Sequence, residues 1–290
     1  MKFGLLVSMC ALVFINPSSS YAFDCAKASS KVEKLFCVTP DLKKADEAMS
    51  ATYFKLLRET ADAEFHEALI QSQRRWLKVR SDGPDRFGQA ENDKTDDREV
   101  LLKMTRDRLN FLQTAEPIKI MERQREIKSK DSGGAFAGFK TYCVLQPPPY
   151  GNWSYECWGS AHRQNNDRVC SSVKEWASGH MIEYSLVSVT KNGEPQRAAF
   201  CIADDDLSDQ PACPRTSDDP RINANAHWEK SFDKTPDNSP PLDVSGLWKY
   251  DPDIGPDAIK QSWMHDCLSA PIFPPPGGNP RSNSKSGPGQ

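Results

Sequence analysis

The cysteines, together with the leader that precedes most of them, constrain this chain more than any other feature of its sequence. Of nine cysteines, Cys10 lies within an apolar run from Phe3 to Ile15, which follows Lys2 and precedes the small residues Ser20-Tyr21-Ala22. This pattern is typical of a signal peptide, and the run is too short to cross about 30 Å of hydrocarbon. We therefore expect residues 1–22 to be removed on export.

The cysteines beyond the leader form an even set of eight: Cys25, Cys37, Cys143, Cys157, Cys170, Cys201, Cys213 and Cys267. In an exported chain an even set favours disulfide bonds over thiol chemistry. No C-x-x-C pair occurs, so the close ligand spacing of structural zinc sites is missing. We predict four disulfide bonds, no metal site, a periplasmic or secreted location and no stable membrane insertion.

Length and composition predict two domains. The 268 residues beyond the leader (290 minus 22) exceed one small domain. Helical periodicity fills residues 23–116, and short strand-like runs broken by Pro and Gly fill residues 133–270. We predict an α+β protein: a disulfide-pinned helical bundle, a linker at 117–132, a small β-rich domain stapled by disulfides, and a disordered tail at 271–290.

Apolar residues in the first domain recur every three or four positions, which is typical of helices that bury one face. One run extends from Leu42 to Leu56 and a second from Phe65 to Val79, and a last helix is predicted from about Asp97 to Glu116. Residues 23–116 therefore indicate a small helical bundle.

The start of this bundle carries two local signals. Ser30 and Glu33 form a capping box that predicts the beginning of the first helix. A disulfide bond between Cys25 and Cys37 would pin the extended N-terminus onto that helix, which is worth about 2–3 kcal/mol in the chain-entropy model.

The second half contains one clear hairpin signal. Asn192-Gly193 separates two strand-like runs, and this dipeptide favours the tight turn of a β-hairpin. The six cysteines of this half allow fifteen disulfide connectivities, and the sequence does not choose among them.

Charge and motif patterns exclude several classes of function. Residues 131–290 carry 14 Lys and Arg against 20 Asp and Glu, and the only basic concentration is the short segment 119–130, so no nucleic-acid partner is predicted. The histidines stand in no nucleophile–base motif, and the acidic run at 204–209 lacks the spacing of a calcium loop. We expect no catalytic residue, no cofactor and no enzymatic activity.

Two sets of residues are candidates for binding. Gln73, Trp76 and Arg80 share one helical face, either as a binding patch or as core, with Arg80 paired to Asp46; the apolar stripe favours the core. The second set, Trp153, Tyr155 and Trp158, lies in an aromatic stretch that also contains Tyr142 and Tyr150. This stretch is either a carbohydrate or peptide platform or the core of a domain with few aliphatic residues.

An ordered series of residues resembles a known family. The series is Phe23-Asp24-Cys25-Ala26-Lys27-Ala28, Glu33, Cys37, Pro40, Leu42, Asp46, Tyr53, Leu69, Gln73, Trp76-Leu77 and Arg80. It resembles the N-terminal domain of the LprI-like lysozyme inhibitor family and covers about residues 23–112. The chain departs from the family pattern in having no cysteine soon after Arg80 and in having Ala45 where a larger apolar residue is usual.

The resemblance implies an exported protein that occludes a peptidoglycan-cleaving lysozyme or another cell-wall enzyme. Many lysozymes are basic and their clefts hold two carboxylates, so the acidic second half would steer such a partner; it would equally keep an exported protein soluble. The alternative function is a cell-envelope or glycan-binding protein without inhibitory or enzymatic activity.

Overall fold

The computed structural model describes residues 25–83, 96–146, 153–177, 180–204, 213, 228–229 and 242–274. The signal peptide, most of the tail at 271–290 and most of the acidic run at 204–209 lie outside these residues. Helices come first and a five-stranded antiparallel sheet follows, which confirms the predicted α+β class. No helix in this part of the chain has the length and apolar character that crossing a membrane requires.

The elements follow one another in a simple order. After a 3₁₀ turn at Cys25–Lys27, the helices of the first region are α1 (Lys31–Val38), α2 (Pro40–Glu59), α3 (Ala63–Asp82), α4 (Asp97–Gln113) and α5 (Glu116–Lys128). The strands are β1 (Gly138–Gln146), β2 (Ser154–Asn165), β3 (Arg168–Ala177), β4 (His180–Lys191) and β5 (Glu194–Asp204). Two short helices, α6 (Asp257–Lys260) and α7 (Ser262–Ser269), come last.

The helical region forms as its local signals predict. The Ser30 hydroxyl accepts a hydrogen bond from the Glu33 amide at 3.1 Å, and the Glu33 carboxylate accepts one from the Ser30 amide at 3.0 Å, so the capping box is confirmed. Helices α2 and α4 pack along each other. Their apolar stripes and that of α3 form the core that contains Met49, Tyr53 and Trp76.

The segment between bundle and sheet contains a helix. Helix α4 ends at Gln113, before the expected Glu116, because Ala115 adopts a left-handed conformation with φ of 53°. Pro117 stands in the first turn of α5, where its missing N–H costs no hydrogen bond. Most of the segment expected to be a linker is therefore α5, and the domain boundaries given above stay a prediction.

The sheet is a meander with strand order β1-β2-β3-β4-β5. The turn between β4 and β5 has Asn192 at φ 54° and Gly193 at φ 82°, the positive values that a two-residue hairpin turn needs. The predicted hairpin is confirmed.

All eight cysteines beyond the leader are paired, which confirms the predicted four disulfide bonds. The pairs are Cys25–Cys37, Cys143–Cys157, Cys170–Cys267 and Cys201–Cys213. Cys143–Cys157 joins the neighbouring strands β1 and β2. Cys170–Cys267 attaches α7 to β3, and Trp263 and Leu268 of α7 are buried against the sheet.

The segment 248–254 connects the sheet to the helices. Trp248 and Phe139 exchange backbone hydrogen bonds of 2.7 and 2.8 Å, so the segment lies along the edge strand β1. The Gln124 side chain of α5 donates to the carbonyl oxygens of Asp251 and Ile254, both at 2.7 Å. The segment 248–254 thus contacts both the sheet and the bundle, and it positions the site described next.

Candidate functional site

Gln73, Trp76 and Arg80 lie in the core of the bundle and are 6%, 1% and 6% exposed. Arg80 Nη1 lies 2.5 Å from a carboxylate oxygen of Asp46, which confirms the pairing expected from the sequence. The guanidinium of Arg80 also stacks over the Trp76 ring at 4.9 Å. Burial raises the pKa of Asp46 and lowers that of Arg80. In this structure the three residues stabilise the bundle and present little surface to a partner.

A second, larger charge network joins α3 and α4 to the segment after the sheet. Arg75 Nη2 contacts Asp251 at 2.5 Å and Asp253 at 2.7 Å, and Arg108 Nη1 contacts Asp253 at 3.3 Å. The Ser72 hydroxyl donates to Asp253 at 2.8 Å. Two guanidinium groups face two carboxylates, so the network is neutral overall. We call these five side chains the interdomain network.

The pKa values of the two carboxyl groups are shifted in opposite directions, because burial dominates at one and the arginine charges dominate at the other. Desolvation raises the pKa of Asp251 to about 6, against the opposing charge of Arg75. Asp253 is desolvated as well, but the charges of Arg108 and Arg75 outweigh that effect and hold its pKa below the ordinary value. Sequence reasoning did not identify this network, because about 180 residues separate Ser72 from Asp253 and no local pattern marks such a pairing.

A cleft of about 440 Å³ opens beside the interdomain network, between α4 and β2. Trp76, Met104 and Phe111 line it, and so do the buried charged side chains of Arg108 and Asp253. Concave sites with apolar walls and a few polar groups are the usual form of binding sites. We call this feature the α4–β2 cleft.

The α4–β2 cleft has an acidic rim and a buried phenol. Asp107 and Glu156 border it and are both exposed, and the Asp107 carboxylate is paired with Lys103 of α4 at 2.6 Å. The hydroxyl of Tyr155 is buried and has no hydrogen-bond partner in the described part of the chain. Burial raises the pKa of Tyr155, so the phenol stays neutral and retains its proton as a donor. The rim carboxylates, with the phenol oxygen as an additional acceptor, suit a cationic side chain of a partner, which donates hydrogen bonds and accepts none.

The aromatic stretch divides between the core and the surface. Trp153 is 4% exposed and packs with Tyr155 against the bundle. Trp158 is half-buried, and its ring contacts those of the more exposed Tyr142 at 5.9 Å and Trp176 at 6.4 Å. Tyr150 lies outside the described residues. The two alternatives left open by the sequence therefore apply to different residues, and a binding role for any of them stays a prediction.

The described residues offer little to catalysis or metal binding. Ser171 Oγ lies 2.6 Å from His162 Nδ1, but both residues are buried, and the described residues place no carboxylate at the other ring nitrogen, which has no partner. Cys143, Cys157 and Asp253 lie together, yet the two sulfur atoms are bonded to each other and are not free to bind a metal.

Comparison with known proteins separates the two regions. No curated protein and no solved structure matches the chain. The model of one family matches residues 25–112, which span α1 to α4 almost completely. That family is described as lysozyme inhibitor LprI, and the match confirms the resemblance of the helical region, residues 25–112, to its members.

Proposed function

We propose that this protein is exported and inhibits a peptidoglycan-cleaving lysozyme by binding to it. The observation that carries the proposal is the match of the lysozyme inhibitor LprI family over residues 25–112. Within that region, the Cys25–Cys37 disulfide and the buried Arg80–Asp46 pair are both formed. Four disulfide bonds suit an oxidising compartment such as the periplasm or the exterior of the cell, where cell-wall lysozymes act.

We place the contact with lysozyme at the α4–β2 cleft. Its helical wall, with Trp76, Met104 and Arg108, belongs to the region that matches the family. Its acidic rim suits a basic partner, since complementary charges steer association and fix the register of a complex. The rings of Phe111 and Tyr155 suit the apolar stem of an inserted Lys or Arg side chain, whose charge would lie at the rim, since the Arg108 guanidinium already lies over Phe111 at 5.3 Å. Lysozyme inhibition is then occlusion by a bound protein, without any reaction in the inhibitor.

The decisive experiment measures complex formation and inhibition separately. The purified mature chain, residues 23–290, is mixed with a basic lysozyme without substrate and examined by calorimetry. Hydrolysis of a soluble chito-oligosaccharide is then followed with and without the chain, with the substrate in large molar excess over the chain so that substrate bound to the chain does not slow the reaction. We expect a complex and slower hydrolysis. No complex and unchanged hydrolysis at micromolar excess would remove the proposal and favour the non-inhibitory envelope protein.

A charge-reversal pair tests the location. Asp107→Lys with Glu156→Lys reverses the rim of the α4–β2 cleft, and we expect about 10-fold slower association with a basic lysozyme at low salt. The matched control reverses Glu47 and Glu194, which are also exposed and do not line the cleft. Equal slowing by both pairs would show general electrostatics and would exclude the cleft as the contact.

A further inference from the structure

Three aromatic side chains from neighbouring strands form a row on the sheet. Tyr142 of β1 and Trp158 of β2 are direct cross-strand partners, and Trp176 of β3 continues the row. Tyr142 is 57% exposed and Trp176 is 38% exposed, and Trp158 between them is half-buried. Monomeric proteins rarely leave several large aromatic rings in one exposed patch unless the patch binds something. We call these three residues the aromatic row.

The backbone beside the row is fitted to this arrangement. Gly159, directly after Trp158, has φ of 151°, and a Cβ at this position would collide with the backbone oxygen of Lys140. A glycine is therefore needed for β1 to approach β2 this closely. Trp158 is held next to Tyr142 by a local feature of the sheet and does not depend on the packing of a loop.

A cavity of about 440 Å³ adjoins the aromatic row and contains an unpartnered buried polar atom. His162 lines this cavity and is 1% exposed. Its Nδ1 contacts Ser171 Oγ at 2.6 Å, and its Nε2 has no hydrogen-bond partner in the described part of the chain. Buried polar atoms are almost always satisfied, and an orphaned one beside a cavity indicates where a polar ligand group can bond.

The charges around the cavity cancel. Lys140 and Lys174 supply two positive charges, and Glu175 and Asp243 supply two negative ones. Lys140 is paired with Asp243, and Lys174 with Glu183 of β4 at 2.8 Å. Burial lowers the pKa of His162 to about 4, so its ring is neutral at pH 7. Single-stranded nucleic acid also stacks on aromatic rows, but it requires a positively charged groove, which is not found here.

We propose that the aromatic row and its cavity bind the sugar backbone of a polysaccharide of β-1,4-linked pyranose rings, through uncharged parts of those rings. Such a chain is extended, and each ring has a flat C–H face that packs on an aromatic ring and hydroxyl or amide groups at its edge. Successive sugars would lie on Tyr142, Trp158 and Trp176. An edge group would reach Nε2 of His162, and the paired lysines and acids would bond to further hydroxyls.

This inference goes beyond lysozyme inhibition and uses a different site. The aromatic row lies wholly in the sheet, outside the residues that match the inhibitor family. A glycan site would hold an inhibitor on the polysaccharide that lysozyme cleaves. The two proposals fail separately, because complex formation with lysozyme is measured without glycan and glycan binding is measured without lysozyme.

The test is retention of the mature chain, with its disulfides intact, on three insoluble polysaccharides: peptidoglycan sacculi, chitin and cellulose. All three contain a β-1,4-linked pyranose chain, and comparison of the three shows which of these polysaccharides the protein binds. The variant Tyr142→Ala/Trp176→Ala removes the two most exposed rings, and we expect about 2- to 10-fold weaker binding per ring. The control Phe54→Ala removes an aromatic side chain of similar exposure from α2 and should leave retention unchanged.

A second measurement avoids dependence on the folding of the variant. In the wild-type chain, tryptophan emission should shift to shorter wavelength when hexa-N-acetylchitohexaose is added, and Trp158→Phe/Trp176→Phe should remove the shift. Variant-dependent retention on any of the three polysaccharides supports the proposal. Absence of retention on all three, or equal retention of the wild type and both row variants, would overturn it.

Discussion

The helical region and the sheet region are held together by different kinds of interaction. The bundle has one disulfide bond, Cys25–Cys37, between residues 12 apart, and its core comes from regular apolar stripes. The sheet region has three disulfide bonds, one of which spans 97 residues. The bundle is therefore specified mainly by local pattern, whereas the sheet and its attachments depend on contacts between distant residues.

The disulfide bonds give the largest expected difference between the regions. In the chain-entropy model, removing Cys170–Cys267 with a double Cys→Ala variant should lower the free energy of unfolding by about 4–5 kcal/mol, because it closes a loop of 97 residues. The corresponding Cys25→Ala/Cys37→Ala variant should cost about 2–3 kcal/mol. Urea unfolding followed by circular dichroism measures both. A larger loss from the short loop would contradict the contrast drawn between the regions.

The interdomain network gives the next largest effect. Arg108→Met leaves the buried carboxylate of Asp253 with one fewer cation and should lower the free energy of unfolding by about 3–5 kcal/mol. It should also loosen the junction, so that helices and sheet no longer unfold in one transition. The matched control is Arg98→Met, which breaks an exposed pair with Asp41 and should change the free energy of unfolding far less, because solvent screens exposed charges. Similar losses from the two variants would mean that the network does not join the regions.

The same contrast explains what the sequence could predict. The capping box at Ser30, the helical stripes and the Asn192-Gly193 turn are local patterns, and the structure confirms each of them. The disulfide connectivity and the interdomain network depend on residues brought together by the whole fold, so no spacing rule could have chosen them. The aromatic stretch is intermediate: its composition indicated that aromatic side chains matter, but only the folded structure shows that Trp153 is buried against the bundle while Trp158 is half-buried beside the exposed Tyr142.

Two buried groups, His162 and Asp251, should change the free energy of unfolding in opposite directions as the pH changes. The pKa of His162 in the folded chain is about 4, below its ordinary value near 6.5. The stability that this group contributes is complete above about pH 6.5 and is lost as the pH falls towards 4, because the unfolded chain takes up the proton first. At pH 5 the loss should be about 2 kcal/mol. Asp251, with its pKa raised to about 6, has the opposite sign: its contribution decreases as the pH rises from about 4 to 6.

The variant His162→Gln isolates the contribution of His162 to the pH dependence of stability. We expect the wild type to lose more stability than His162→Gln between pH 7 and pH 5, whatever the cost of the substitution itself at pH 7. Urea unfolding at the two pH values measures this difference. The charges of Asp243 and Lys140 near the ring shift the pKa of His162 in opposite directions, and both effects are smaller than that of burial. Equal pH dependence in both chains would show that the ring titrates normally and is not buried as described.

The smallest expected effect tests the one feature of the sheet that is encoded locally. Gly193 has φ of 82°, and a Cβ at this position would meet no atom within 4 Å beyond its neighbours in the chain. Gly193→Ala should therefore lower the free energy of unfolding by about 1–2 kcal/mol through backbone strain alone. Gly255 is equally open and lies outside the positive-φ region, so Gly255→Ala should be neutral or stabilising by less than about 1 kcal/mol. Thermal unfolding of the two variants measures the difference. If Gly193→Ala were as harmless as Gly255→Ala, the β4–β5 turn would not determine the register of that hairpin, and long-range contacts would specify even this part of the sheet.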